Sequence, residues 1–413
     1  MKAHTCQQLV LVATLLAPLT TLSAQALPAG VRLQPDGGRT GILFGTAVSI
    51  SGSSIATGAA FDANGMFGGA GSVFVHVRDG GGAWTLQQRL VANDSAANDN
   101  LGAWVEIFGD TLFASAPSNV PTGSPKSGAV YVFQRSAGVW SQVDKLVPNP
   151  AIQGANFGQR MAVNDEFLLL GGLNASSQRI VHVYQPVAGA WQQTGSFQPT
   201  GAGSFASHIS LWKKTALVGA NGATNASAVA TGAAYVFDHN GSAFAQTIKL
   251  LASDGASGDA FGFSASLWGK RAVIGAFQDD IGNNVNQGSA YVFELGANGW
   301  TEVVKLTAPD GLGNDQFGKD VRICGDRIFV GASRRDEGVN PDQGAMYRYD
   351  RIGGVWSFVE KVTLASPGRS NALYGDHIGV DAQGLVVGAP FISESYAYSG
   401  GCKVDGIHAD SFE

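Results

Sequence analysis

Three pairs of carboxylates recur at one spacing: Asp94 with Asp99, Asp254 with Asp259, and Asp310 with Asp315, each five residues apart. A mixed-charge cluster, Arg334-Arg335-Asp336-Glu337, follows the last pair. Paired carboxylates can hold a hard cation, share a proton in acid–base catalysis, or receive the polar groups of a partner. Calcium asks for about six to eight oxygens. One pair therefore supports at most weak calcium binding, completed by water or a partner, and no cofactor beyond that is expected. Glycoside hydrolysis needs two carboxyls facing each other at roughly 5–9.5 Å, a separation that sequence spacing does not fix. Asp, Asn and Gly are also ordinary turn formers. Asp94, Asp99, Asp254, Asp259, Asp310, Asp315, Arg334 and Arg335 are read as binding positions on loops, with no catalytic residue and no metal ligand assigned.

Other chemistry has weaker footing. There is no Gly-x-Ser-x-Gly elbow and no His-Glu-x-x-His pair. His76 and His182 fall in strand-like runs where Tyr or Phe stands elsewhere, and read as packing residues. His208 and His377 lie near the starts of other strands, within reach of a central channel. Gly201 to Ala206 matches a dinucleotide-binding string without the strand–turn–helix context it requires. Asp79 to Trp84 resembles half of a sialidase Asp-box, but its single occurrence reads as a hairpin turn.

The positioning elements emerge from an internal repeat. Units begin at Phe44-Gly45, Leu101-Gly102, Phe157-Gly158, Phe205-Ala206, Phe261-Gly262, Phe317-Gly318 and Tyr374-Gly375, at steps of 57, 56, 48, 56, 56 and 57 residues. Each holds four aromatic or β-branched runs separated by turn residues. The first follows the Phe-Gly pair. The second ends in Gly-Ala, as in Ile274-Gly275-Ala276. The third resembles Ala290 to Phe293. The fourth runs from an aromatic residue to a Lys-Leu pair, as in Trp300 to Leu306. No run keeps a 3.6-residue period, so helix should be scarce. Glycine, 57 of 413 residues, is about twice its usual share, and the 14% of charged residues falls below the usual quarter or so. Seven units of four strands predict an all-β, seven-bladed β-propeller of antiparallel blades.

Spacing also predicts closure. The Leu ending a fourth strand lies 11 residues before the next unit in Leu90→Leu101, Leu146→Phe157, Leu250→Phe261 and Leu306→Phe317, and Leu33→Phe44 matches them. Residues 27–34 thus read as a fourth strand with no blade before it, while the seventh unit has a third strand at 396–398 and no fourth. Pairing the two leaves no open ring edge. The third unit is short and reads as worn, as does the Phe205-Ala206 start.

Residues 1–26 read as a signal peptide: Lys2, an apolar stretch from Leu9 to Leu22, then Ala24-Gln25-Ala26. No other segment is long and apolar enough to span a bilayer. Removing Lys2 turns 26 basic residues into 25 against 32 acidic ones, net −7. That balance argues against nucleic acid as partner. The expected domains are 1–26, the propeller at 27–399, and a tail at 400–413 outside the ring. Cys324 and Cys402 are expected to be a buried thiol and a separate tail thiol.

The Phe-Gly, Val-Gly-Ala and Gly-Ala-x-Tyr-Val-Phe motifs resemble the FG-GAP repeats of integrin α-subunit propellers, and more closely bacterial FG-GAP-like repeat proteins. The resemblance covers about residues 31–398. Integrin-type repeats often carry an Asp-x-Asp-x-Asp-Gly calcium cage between the first two strands. Here those connections are tight turns such as Gly109-Asp110, Gly269-Lys270 and Gly325-Asp326, so those sites are not carried over. Asp405 to Glu413 resembles a short C-terminal ending of some exported Gram-negative proteins. Two functions fit such a chain. The favoured one is a secreted, periplasmic or cell-surface module that binds a protein or glycan through the face bearing the second-strand and fourth-strand loops. The alternative is a glycosidase or lyase on the same scaffold.

Overall fold

The computed structural model describes residues 26–121, 125–199, 204–365 and 369–402. Over these residues the chain forms seven four-stranded antiparallel sheets. Six are continuous in sequence, at 44–90, 105–146, 161–197, 205–250, 264–306 and 317–362. The seventh joins the two ends: Ile378–Val380, Gly384–Ala389 and Glu394–Ser399 are completed by Val31–Leu33. The register is Val31↔Ala397, Arg32↔Tyr396 and Leu33↔Ser395. The chain is therefore a closed, seven-bladed propeller, and Leu33 lies opposite Ser395 as Leu306 lies opposite Ala290 in blade five. Helical residues are confined to two short 3-10 turns, Asp36–Gly38 and Pro390–Ile392, among the described residues. None of them is long and apolar enough to cross a membrane. The signal-peptide reading falls outside the described residues, as does the tail beyond Cys402.

Blade five shows why the sequence folds this way. Its second strand, Arg271–Ala276, is buried throughout after its first residue, so Ala272-Val273-Ile274 is apolar on both faces. Its fourth strand, Gly299–Leu306, lies outermost and alternates with solvent. The core sits between blades: Leu217 and Val236 of blade four pack with Phe261, Ile274, Tyr291 and Phe293 of blade five.

Adjacent blades meet through main chain. Gly262 takes φ +87°, a left-handed conformation that other residues adopt only at a cost. A Cβ there would overlap the Ala233 carbonyl of the preceding blade, and one on Gly219 would overlap the Gly262 carbonyl. The same pairing of a Phe-Gly glycine with a preceding Gly-Ala glycine recurs for Gly58 with Gly102, Gly275 with Gly318, Gly331 with Gly375 and Gly388 with Gly45. Main-chain bonds reinforce it: Phe261 N–H donates to Thr231 O at 3.1 Å, Phe317 to Gln287 at 2.8 Å and Tyr374 to Gln343 at 3.0 Å. The two irregular joints flank blade three. There Ser115 faces Gly158, and Ala206 takes φ +60° beside Gly171.

One expectation is reversed. Cys324 and Cys402 form a disulfide, with Cα atoms 4.9 Å apart. Cys324 ends the first strand of blade six, and Cys402 lies three residues past the third strand of blade seven. First and third strands run in the same direction, so both ends emerge on one face of the ring, at neighbouring blades. Residues 400–402 are consequently held to the ring. Arg327 donates to the carbonyls of Gly400 at 2.6 Å and Gly401 at 3.0 Å, and Cys402 N–H to Asp381 O at 3.0 Å. The N-terminal segment is tied to the same sector. Leu27 N–H donates to Glu360 at 3.0 Å, and Glu360 pairs with the fully buried Arg348 at 2.6 Å.

The third-strand histidines pack as read. His76 meets Phe44 edge-on at 6.1 Å, as Phe293 meets Phe261 in blade five, and His182 meets Phe157 at 5.3 Å, as Tyr291 meets Phe261. Desolvation lowers both to about 4. A depressed histidine contributes stability that is complete above its unfolded value near 6.5 and is lost as pH falls toward 4. His76→Phe/His182→Phe should therefore gain in melting temperature relative to the parent as pH drops from 7 to 4; a constant difference across that range would contradict the assignment. Gly262→Ala should cost several kcal/mol through overlap and positive φ, whereas Ala206→Gly should stabilise by about 1 kcal/mol by relieving left-handed strain. Chemical denaturation of the two variants checks the pair of opposite signs.

Candidate functional site

The ring has two unlike faces. Turns between first and second strands, and between third and fourth, form one face and are short. The other carries the second-to-third loops and the fourth-to-first loops, and it is where every first strand begins. All eight residues singled out from the sequence lie on this second face.

The structure gives the carboxylates definite work. Asp254 accepts from Tyr291 Oη at 2.7 Å and Lys305 Nζ at 2.7 Å. Asp94 does the same with Tyr131 at 2.8 Å and Lys145 at 2.6 Å, and Asp310 with Tyr347 at 2.8 Å and Lys361 at 2.8 Å. In each case a loop leaving one blade is bolted to the third and fourth strands of the next. Burial acts to raise these three carboxyls, but the Lys and Tyr hydrogen bonds together bring them below the usual Asp value. The second member of each pair closes its own loop. Asp99 accepts from Ala96 N–H at 2.8 Å, Asp259 from Ala256 N–H at 2.6 Å, and Asp315 from Leu312 N–H at 2.7 Å. Arg335 is nearly buried and bridges Asp315 at 3.0 Å and Asp310 at 3.3 Å. Arg334 is exposed, and alone of the eight its side chain makes no hydrogen bond or close ion pair among the described residues.

In the first-to-second turns, Asp110 pairs with Arg135 at 2.6 Å and Asp326 with Arg271 at 2.8 Å. Among the described residues no three His, Cys, Asp or Glu side chains are grouped to hold a metal. The half Asp-box is a hairpin: Asp79 Oδ1 accepts from the N–H of Gly81 and Ala83, both at 2.9 Å.

Two depressions open on the loop-rich face. One, about 320 Å³, lies out among the loops and includes Asp94, Asp99 and Asn119. The other, about 250 Å³, lies at the mouth of the central channel and draws on five blades: Trp104, Arg160, His208, Lys319 and Asp320, Asp376 and His377, with Phe263 from a sixth. The two histidines near strand starts do meet here. The residues beside them share one repeated position of the sequence. The third residue after each Phe-Gly aromatic is Ala47, Trp104, Arg160, His208, Ser264, Asp320 or His377, and the fifth adds Glu106 and Arg322. Residues two apart share a face of a strand, and on an innermost strand one face lines the channel.

These side chains form one network. Asp320 accepts from Arg322 at 2.6 Å and from the N–H groups of Val321 at 3.0 Å and Ile378 at 2.8 Å. Arg322 also reaches His208 Nε2 at 3.3 Å. Trp104 donates its indole N–H to Glu106 at 3.1 Å, meets His377 edge-on at 4.7 Å, and carries the Arg160 guanidinium 4.7 Å from its ring centre. Desolvation dominates the electrostatics. It pushes Glu106 up to about 7 and Asp320 to about 6, raises Asp376, drives His208 and His377 well below their usual value, and lowers Arg160 to about 10. Both histidines are therefore neutral at pH 7.

The FG-GAP repeat matches residues 84–133, 244–293 and 300–349. The chain carries FG-GAP repeats on a seven-bladed propeller, an arrangement consistent with an integrin α-like FG-GAP propeller. Each match runs from a fourth strand through the third strand of the next blade. Sequence unit and blade are thus offset by one strand, the offset that ring closure uses. No curated protein matches this sequence.

The lock reading predicts that Asp254→Asn, which keeps the side chain's shape, lowers stability by about 1 kcal/mol through lost charge-assisted bonds. It should also speed amide exchange in residues 252–260, with no such change in 91–99. Uniform exchange at both loops would remove the lock from the account.

Proposed function

We propose that this chain is an exported, non-enzymatic binding module that holds a protein partner against its loop-rich face. One observation carries the reading: this face presents apolar side chains at the tips of loops that are already ordered. Met66 is 95% exposed and Val339 93%, and Phe61, Phe67, Val285 and Phe391 are also exposed there. Exposed apolar side chains on ordered loop tips offer an apolar partner surface something to bury. The tips sit on small internal hairpins, with paired bridges between Asn64 and Phe67, Ile281 and Asn284, and Glu337 and Asn340. Ordering such a loop before binding removes an entropic cost that association would otherwise carry. The carboxylate locks serve the same end by fixing the loop bases, so Asp94, Asp99, Asp254, Asp259, Asp310, Asp315 and Arg335 enter recognition as supports for the tips, while Arg334 is free to touch a partner. A protein fits apolar tips better than a glycan does. Export is favoured by the Cys324–Cys402 disulfide, which persists in oxidising compartments, and by the signal-like residues 1–26.

Photo-crosslinking residues replacing Met66 and Val339, and separately Lys270 and Arg351 on the opposite face, should be exposed to periplasmic, surface and secreted fractions of the source cells. The expected result is one dominant protein adduct from positions 66 and 339, abolished when Phe67 and Val285 are changed to Asp. Adducts confined to positions 270 and 351, or none from either face, would overturn the reading.

A further inference from the structure

The mouth of the central channel is built differently from the loop tips. Its cavity of about 250 Å³ is smaller than the roughly 300–1,000 Å³ that takes drug-sized ligands. Two of its cations have no carboxylate within ion-pair distance among the described residues, although Asp376 attracts both and Asp320 attracts Arg160 from farther off. Arg160 donates Nε to Ser207 O at 2.9 Å and Nη1 to Gln159 O at 2.9 Å, so its fork is fixed by carbonyls and stacked on Trp104. Its Nη2 has no protein partner among the described residues. Lys319 Nζ sits 4.6 Å from the ring centre of Phe263 and 4.4 Å from that of Phe277, with no carboxylate oxygen within ion-pair distance among the described residues. Burying unpaired charge is costly, and desolvation lowers both groups.

The carboxylates of the same cavity do not meet this demand. Asp320 is taken by Arg322 and two main-chain N–H groups, and Asp376 attracts Lys319 and Arg160 only from beyond ion-pair distance. A further donor is unused. Because Arg322 donates to His208 Nε2, the His208 proton resides on Nδ1, which is buried without a partner among the described residues.

We propose that the channel mouth binds a small polyhydroxylated carboxylic acid, the chemistry of an acidic monosaccharide. The carboxylate lies between Arg160 and Lys319, whose fixed fork and ammonium supply charge-assisted bonds. Hydroxyl groups meet Asp376 and the neutral His377, which can accept and donate respectively. Free acid and the acidic end residue of a polysaccharide share this chemistry. The site stands independently of the loop tips and survives the failure of that reading.

The test is calorimetric titration of the full chain with glucuronate, a short oligoglucuronate, glucose and inorganic phosphate. Glucuronate should bind, and glucose should not. Oligoglucuronate at matched or higher affinity assigns the end of a polymer as the natural form, while binding of glucuronate alone assigns the free acid. Arg160→Gln and Lys319→Met should each weaken binding at least tenfold. Lys319→Met should stay folded, because it places an apolar chain of similar length between two phenyl rings. Phosphate binding as tightly as glucuronate, no binding by either acid, or a Lys319→Met protein that is destabilised yet binds normally would each overturn the proposal.

Discussion

The fold depends on the close approach of main chain at the inner ends of neighbouring blades. A Gly-Ala glycine and the Phe-Gly glycine of the next blade leave no room for a Cβ at five of the seven joints. This contact fixes the pitch between blades, and the adjoining bonds, such as Phe317 N–H to Gln287 O at 2.8 Å, tie each first strand to the loop base before it. Side chains are then free to differ on either side. Outward, aromatic residues such as Phe261 and Tyr291 fill the wedge that opens as blades diverge. Inward, the channel-lining positions are relieved of packing duty and can carry Trp, Arg, His or Asp. A motif that looks decorative in sequence is thus what allows a charged channel on an apolar scaffold.

Much of this was legible because the constraints are local and repeated. Phe-Gly, Gly-Ala and Tyr-Val-Phe each report one strand, and the 11 residues from Leu33 to Phe44 match those inside the ring closely enough to predict closure. The carboxylate pairs were visible too, but their work was not. Asp254 and Tyr291 lie 37 residues apart and Asp254 and Lys305 lie 51 apart, and only the blade-to-blade offset brings them together. The same offset at Asp94 and Asp310 means the spacing itself encodes an interblade lock. The disulfide was obscured for a related reason: Cys324 and Cys402 are 78 residues apart, and their neighbourhood follows only from which ends of first and third strands share a face. Arg322 and His208 are 114 residues apart, a proximity set by ring curvature that no local pattern records.

The locks and the irregular joints are distributed unevenly, and this shapes what each sector can do. Asp–Tyr–Lys locks join blades one to two, four to five and five to six. Blade three has none: His182 takes the tyrosine position, its outer strand Ala190–Phe197 is largely exposed, and its two joints carry Ser115 and the strained Ala206. Stability in such a ring is a sum of neighbouring contacts, so the blade-three sector is the one least tied to its neighbours. The opposite sector holds the Cys324–Cys402 bridge, the buried Arg348–Glu360 pair and the joining strand Val31–Leu33, and there closure is secured by covalent, ionic and main-chain bonds at once. Both Lys319 and Arg334 belong to this reinforced side, and Met66 and Val339 stand on loops whose bases are pinned. The channel mouth, however, also takes Arg160 from blade three and His208 from blade four. A ligand bridging Arg160 to Lys319 would therefore connect the weakest sector to the strongest across the channel, which makes these two cations, neither with a carboxylate at ion-pair distance among the described residues, a place where binding can complete a ring that main-chain contacts alone leave uneven.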